Sequence, residues 1–176
     1  EKMQEVVNGN YGGFNSLDDF LMKAYAVDYN GTKAMFEAFR VNVPKTTGIV
    51  QWMLNSAWPS MYWQLYDWWG VPTAGYYGVK KACEPVQLIF NQGDRKVYVV
   101  NESAADAPVS ATCTIYDENS QIAGSFSASL TAAVRRSEAV FDLAGYDGKP
   151  HFVALSLEKE SGEKVDNFYC LGASGN

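Results

Sequence analysis

Nine large rings crowd one stretch of the chain: Trp52, Trp58, Tyr62, Trp63, Tyr66, Trp68, Trp69, Tyr76 and Tyr77. Asn55, Ser56, Gln64 and Asp67 are interleaved with them. A pyranose has apolar faces of axial C–H bonds and a rim of hydroxyls. It therefore suits an aromatic platform with a few hydrogen-bonding side chains beside it, the usual makeup of a ligand pocket. Each ring can also bury 150–250 Å² in a core, and ordinary packing is expected to take about two thirds of them.

Acid–base or nucleophilic chemistry finds less material. Asp67 is the single acid inside the cluster and reads as a hydrogen-bonding or structural residue, because no catalytic partner accompanies it. Glu5, Glu37 and Glu84 lie outside it, and Glu37 falls on a helical pattern as part of a solvated face. The single His151 cannot complete a triad. Cys83, Cys113 and Cys170 are widely separated, lack metal-ligand spacing and read as buried free thiols. No metal site and no cofactor is expected.

The formal net charge of −6 argues against a nucleic-acid partner, since phosphate binding needs concentrated Lys and Arg. Lys80-Lys81 and Arg135-Arg136 are too small for that and read as solvated surface. No apolar run approaches the ~18 residues of a membrane helix, so no membrane partner is expected. The chain opens Glu1-Lys2-Met3-Gln4, with neither an initiator Met nor a signal peptide, as a fragment or processed product would.

The elements that must position these residues change character near Glu84-Pro85, which places a domain boundary there, 1–84 and 85–176. After a polar, glycine-rich opening, Ser16 and Asp19 form a capping-box pattern. Phe20, Ala24, Val27, Gly31, Met35 and Phe39 then mark one apolar stripe on a helix from Leu17 to Arg40. Gly31 costs about 1 kcal/mol against Ala inside a helix, a loss that close packing at that point would offset. Gly48–Asn55 is a nearly continuous apolar run, as in a strand covered on both faces. A helix followed by a buried strand is the unit of an α/β fold, whose other strands this chain does not supply. A short helix over Ala74–Cys83 follows.

Beyond Pro85 the pattern alternates: Val86–Asn91, Lys96–Asn101, Val109–Tyr116, Ile122–Leu130, Ser137–Leu143, Phe152–Glu158 and Val165–Leu171. Gln92-Gly93-Asp94, Asp117-Glu118-Asn119, Tyr146-Asp147-Gly148 and Ser161-Gly162-Glu163 supply turns. Seven short strands in this span are the pattern of an immunoglobulin-like β-sandwich, without the antibody Cys–Trp–Cys spacing.

Trp52-Met53-Leu54-Asn55-Ser56-Ala57-Trp58-Pro59 and Tyr62-Trp63-Gln64-Leu65-Tyr66-Asp67 resemble the last barrel strand and following loop of glycoside hydrolase family 2. The likeness is greatest to the exo-β-D-glucosaminidases, with β-mannosidases as neighbours. Gly75 to Pro85 extends it into the final helix and domain junction, and Ser16 to Phe20 resembles the start of the preceding helix. The resemblance implies an α+β piece: the C-terminal part of a (β/α)8 barrel (helix, last strand, helix) followed by the immunoglobulin-like sandwich. It implies retaining hydrolysis of a terminal β-linked sugar, glucosaminide or mannoside, by an acid and a nucleophilic carboxylate about 5–5.5 Å apart. Both would lie on earlier strands, outside this chain, so the piece alone would be inactive. Trp52 and Asn55 match strand-end positions lining the sugar site, and Trp58 the loop aromatic beside it. Cys170 stands where relatives often have Trp, which concerns packing. The resemblance also suggests a secreted or periplasmic enzyme. Its implied partners are carbohydrate and the rest of the longer chain, with self-association of the isolated piece. Two other readings are a non-catalytic carbohydrate-binding module using the aromatic cluster and a purely structural sandwich. Neither accounts for Gly48–Asn55.

Overall fold

The computed structural model describes residues 2–60, 64–146 and 148–172; Glu1, Tyr62, Trp63 and Asp147, named above, lie outside them. The fold is α+β with antiparallel sheets. It divides into two compact units, residues 1–36 with 48–83, and residues 37–47 with 84–176.

The first unit opens with a helix that composition alone did not suggest, α1 (Lys2–Tyr11). It buries Val7 completely, and Gly12, at φ +71°, ends it by donating its N–H to Asn8 O at 3.1 Å. Helix α2 spans Leu17–Arg40. Ser16 Oγ accepts from the Asp19 N–H at 3.1 Å, while Asp19 reaches back to the Asn15 N–H at 3.0 Å. This is a capping box displaced by one residue. Phe14 against Phe20, ring centres 5.0 Å apart, adds the apolar staple.

The expected stripe on α2 holds only in its first half. Ala24 is buried, but Gly31 is exposed, with open space where a Cβ would stand. Met35 and Phe39 are exposed as well. The buried face instead runs through Ala24, Lys33, Phe36, Glu37 and Arg40. The close packing expected at Gly31 occurs on the neighbouring helix α3 (Ala74–Ala82). Thr73 caps that helix through its side chain, and the Asp28 carboxylate accepts the Gly75 N–H at 2.7 Å. Burial pushes the Asp28 carboxyl up, against the pull of its bonds from Gly75 and Thr32.

At Gly78 a Cβ would lie 2.5 Å from Tyr29 O and 3.2 Å from Lys33 N, backbone atoms that cannot step aside. Gly78→Ala is therefore expected to destabilise this unit by about 2 kcal/mol, despite the better helix propensity of Ala. All five tryptophans lie between Trp52 and Trp69, so tryptophan fluorescence during urea unfolding reads this unit. An unchanged midpoint would show that α2 and α3 can part without cost.

Gly48–Asn55 is not a buried strand. It carries one isolated bridge, Asn55 to Tyr66, and Val50, Trp52 and Leu54 are exposed. The physical reason is that a strand exists only through neighbours that pair with its N–H and C=O groups, and among the described residues the one bridge is that of Asn55 to Tyr66.

Among the described residues of the second unit seven strands form two sheets, β1 (Val86–Asn91), β2 (Lys96–Asn101) and β5 (Arg136–Asp142) in the order β1-β2-β5, and β3 (Ala107–Asp117), β4 (Ile122–Ala132), β6 (His151–Lys159) and β7 (Lys164–Leu171) in the order β4-β3-β6-β7. Alternation decides which side of each strand is buried. On β3, Val109, Ala111, Cys113 and Ile115 point inward and meet Leu88, Val97, Val99, Val153, Leu155 and Leu157 in one core. Cys113 is fully buried and its thiol is pushed up to about 12 by desolvation. Cys83 and Cys170 are exposed, contrary to the expectation of burial. Cys83 caps the end of α3, and Cys170 takes an outward position in the alternation of β7.

Glu37 also departs from expectation. It is 3% exposed, and its Oε1 accepts from Asn167 Nδ2 at 2.8 Å and from the Tyr169 hydroxyl at 3.0 Å. The same Asn167 amide donates to Leu88 O at 3.1 Å, and the Phe90 N–H donates to Tyr169 Oη at 3.1 Å. One turn on, buried Arg40 pairs with Glu102.

Candidate functional site

The aromatic stretch is organised by two bridges at one residue. Tyr66 pairs in parallel with Asn55, its N–H donating to Leu54 O at 2.9 Å, and antiparallel with Pro72. The chain from 67 to 71 between these bridges is a tight turn. Asp67 Oδ1 accepts from the Trp69 and Val71 N–H groups, both at 2.9 Å, the Asp67 N–H donates to Val71 O at 3.0 Å, and Gly70 sits at φ +78°. Asp117 builds the β3–β4 turn identically: its Oδ1 takes the Asn119 and Gln121 N–H groups at 2.9 and 2.8 Å, with Ser120 at φ +61°. Asp67 is thus a structural acceptor, in keeping with its reading from sequence. The turn is the three-residue hairpin loop in which a left-handed residue follows a type I pair. Trp68 and Trp69 occupy that pair.

Most of the rings are on the surface. Of the seven described, Trp52, Trp58, Trp68, Trp69 and Tyr77 are exposed, the first two at 79% and 68%. Tyr66 and Tyr76 are partly covered, their ring centres 5.1 Å apart, and the hydrogen bond between them holds the Tyr66 hydroxyl's pKa up. Burial of two thirds of the cluster is therefore not what forms. Among the described residues the first unit offers only the helices α1, α2 and α3 to pack against, too little apolar surface for so many rings.

Trp52, Asn55 and Trp58, the positions singled out from sequence, all lie exposed along one irregular stretch. Among the described residues, neither Trp52 nor Trp58 touches another aromatic ring. Asn55 Nδ2 donates to Ser56 O at 3.3 Å, which leaves its carbonyl oxygen and one N–H for another partner. Ser56 and Gln64, expected among the polar contacts, are buried, and Ser56 Oγ bonds Ser60 Oγ at 3.1 Å. Trp68 and Trp69 were read only as members of the cluster. Asp67-Trp68-Trp69-Gly70 carries the signal that finds them, an acid and a glycine three apart in a turn. Among the described residues no group of three His, Cys, Asp or Glu is placed to hold a metal ion. A depression of about 560 Å³ in the second unit, lined by Ser110, Ser129, Thr131, Glu158, Lys159 and Glu160 among others, has no aromatic side chain in its lining.

Comparison with known proteins gives these residues a context. No protein-family model matches the chain. It is 38% identical over 102 residues to an exo-β-D-glucosaminidase of Arthroderma benhamiae, a match covering 56% of this chain and 12% of that protein. It superposes on the exo-chitosanase of Amycolatopsis orientalis, in complex with PNP-β-D-glucosamine, with a TM-score of 0.87 at 28% identity, over 97% of this chain and 21% of that one. A β-D-mannosidase from Dictyoglomus thermophilum shares the fold, with a TM-score of 0.84 at 19% identity over 98% of this chain and 22% of that one. The chain thus spans about an eighth to a fifth of the length of the proteins it matches. The resemblance drawn from Trp52 to Pro85 stands: the chain has homologues named exo-β-D-glucosaminidase and β-mannosidases among its structural neighbours.

Proposed function

We propose that these 176 residues are part of a retaining hydrolase of family 2 that removes terminal β-linked glucosamine or mannose. In this reading residues 1–84 end a (β/α)8 barrel, Gly48–Asn55 being its last strand, and residues 85–176 are an immunoglobulin-like sandwich. The observation that carries it is the condition of Gly48–Asn55. A strand-length apolar run with one bridge and exposed Trp52 is what a barrel strand becomes without its neighbours. Active sites of such barrels lie at the C-terminal ends of the strands, where Asn55 stands. The strand order β1-β2-β5 and β4-β3-β6-β7 supports the sandwich.

The roles follow from side-chain chemistry. Trp52 offers a ring face to the C–H face of the reacting sugar, Asn55 an amide to one hydroxyl, and Trp58 a second wall. The proton donor and the attacking carboxylate come from earlier strands of the longer polypeptide, about 5–5.5 Å apart. Exposed Leu17, Met22, Tyr25, Met35 and Phe39 on α2 await the rest of that barrel; in the isolated piece they favour self-association.

In the full-length polypeptide, Trp52→Ala or Asn55→Ala is expected to lower kcat/KM by about fivefold to 150-fold, the loss of ~1–3 kcal/mol of transition-state binding. Steady-state kinetics on β-glucosaminides and β-mannosides measure it. Equal activity per folded molecule together with a lowered Tm would make both residues mere supports of the strand end.

A further inference from the structure

Among the described residues, β1 is an edge strand of one sheet and β7 an edge strand of the other. An edge strand leaves a row of backbone N–H and C=O groups without a ladder partner. Water cannot serve those of Leu88 and Phe90, which are 1% and 3% exposed. Side chains of β7 do so instead. Asn167 Nδ2 donates to Leu88 O at 3.1 Å, and Tyr169 Oη accepts the Phe90 N–H at 3.1 Å. The Tyr169 proton then needs an acceptor of its own at a buried place. Glu37 supplies it: its Oε1 takes the Tyr169 hydroxyl at 3.0 Å and the Asn167 amide at 2.8 Å. Glu37 belongs to neither sheet but to the last turn of α2.

Backbone bonding alone assigns that turn to the helix. Each N–H of an α-helix reaches four residues back, so the amides of 37–40 are held by residues 33–36. The chain just beyond is held to the same turn. The Val41 N–H donates to Glu37 O at 3.0 Å, the Val43 N–H to Arg40 O at 3.2 Å, and Asn42 Nδ2 to Ala38 O at 2.7 Å. The buried side chains are committed elsewhere. Arg40, 6% exposed, pairs with Glu102, which follows β2 and donates its N–H to Pro85 O at 2.8 Å. The compact units follow the side chains: the first ends at Phe36 within α2, and residues 37–47 go with the sheets.

We infer that residues 37–47 are a strap of the two-sheet unit, sealing the seam between its edge strands, and that the unit opens and closes together with them. The seam is an interaction surface for a helix end that brings a carboxylate three residues before a guanidinium. Its occupant is this chain's own last turn of α2. The strap is independent of the proposed function, and it moves the start of the cooperative unit from Pro85 back to Glu37.

Amide hydrogen exchange on the full 176-residue chain, read residue by residue, tests this. Leu155→Ala removes core volume between the sheets and nothing from α2. It is expected to speed exchange in β1 and β7 by about thirtyfold or more, the size of an ordinary buried Leu→Ala loss. The amides of 38–43 are expected to speed up by the same factor, while those of 22–34 stay within about twofold of the unaltered chain. Val153→Ala makes the same comparison with a smaller step if Leu155→Ala does not fold. Amides of 38–43 that keep pace with 22–34 instead would make the segment an ordinary helix end, and the inference falls. It falls equally if 22–34 speed up along with the sheets, because the whole chain then opens as one and no boundary lies within α2.

Discussion

Purified by itself, the 176-residue chain is expected to release nothing from chromogenic β-glucosaminide, β-mannoside or β-galactoside. In the proposed reading the acid and the nucleophilic carboxylate that such hydrolases use together lie outside this chain, and glycosidase rate enhancements span many decades, so nearly all of the rate should be lost. Two of the acids weighed above are otherwise engaged. Asp67 spends one carboxylate oxygen on the backbone of its own turn, and Glu37 lies buried against β7. Sugar-wall residues alone bind weakly and cannot protonate a leaving oxygen. The assay needs a denatured control and a freshly repurified second batch. Turnover that survives both would put an acid and a nucleophile inside this sequence and end the barrel-remnant reading.

Glu37→Ala is expected to destabilise the two-sheet unit by about 3–4 kcal/mol. The change takes away the oxygen to which the buried Tyr169 hydroxyl donates, a loss of about 1–3 kcal/mol, and one acceptor of the Asn167 amide, which keeps Leu88 O. It also leaves a void that the surrounding side chains fill only in part. Far-UV circular dichroism against urea should show a lower midpoint at an unchanged slope. Glu37→Gln, which keeps one acceptor oxygen, should lose less. A midpoint within error of the unaltered chain would mean that water replaces the carboxylate freely, and Glu37 would then be the surface residue its position on a helix pattern suggested.

That contrast shows where sequence reading works. Alternation over Val109, Ala111, Cys113 and Ile115 can be read directly because each residue's side is set by its own strand. β1 and β2 accordingly begin and end where the pattern places them. The cap at Ser16 fixes the start of α2 because it acts within four residues. Glu37 could not be placed that way: its acceptors' partners lie 130 and 132 positions along the chain, and nothing local marks a glutamate as buried. Gly48–Asn55 and the exposed rings mislead for a related cause. In the proposed reading their apolarity answers to surfaces of a longer polypeptide, so local pattern describes the environment they are suited to rather than the one they occupy here. The Asp67 turn lies between these cases. Its acid and glycine are legible, but which rings it displays, and on which side, depends on the bridge to Asn55.

The bonds that join β1 to β7 have a consequence for how the polypeptide comes to be folded. Phe90 to Tyr169 and Leu88 to Asn167 each join positions 79 residues apart, whereas β1 with β2, β3 with β4 and β6 with β7 are neighbours joined by short turns. Hairpins of that kind form in about 1–10 μs, but contacts between distant positions must await the cost of closing the intervening loop. On a ribosome adding about 5–20 residues per second, the first strand of this unit emerges several seconds before the strand that seals it. Through that interval β1 lacks the partners that Asn167 and Tyr169 supply, and the eight residues of β7 decide when that gap closes.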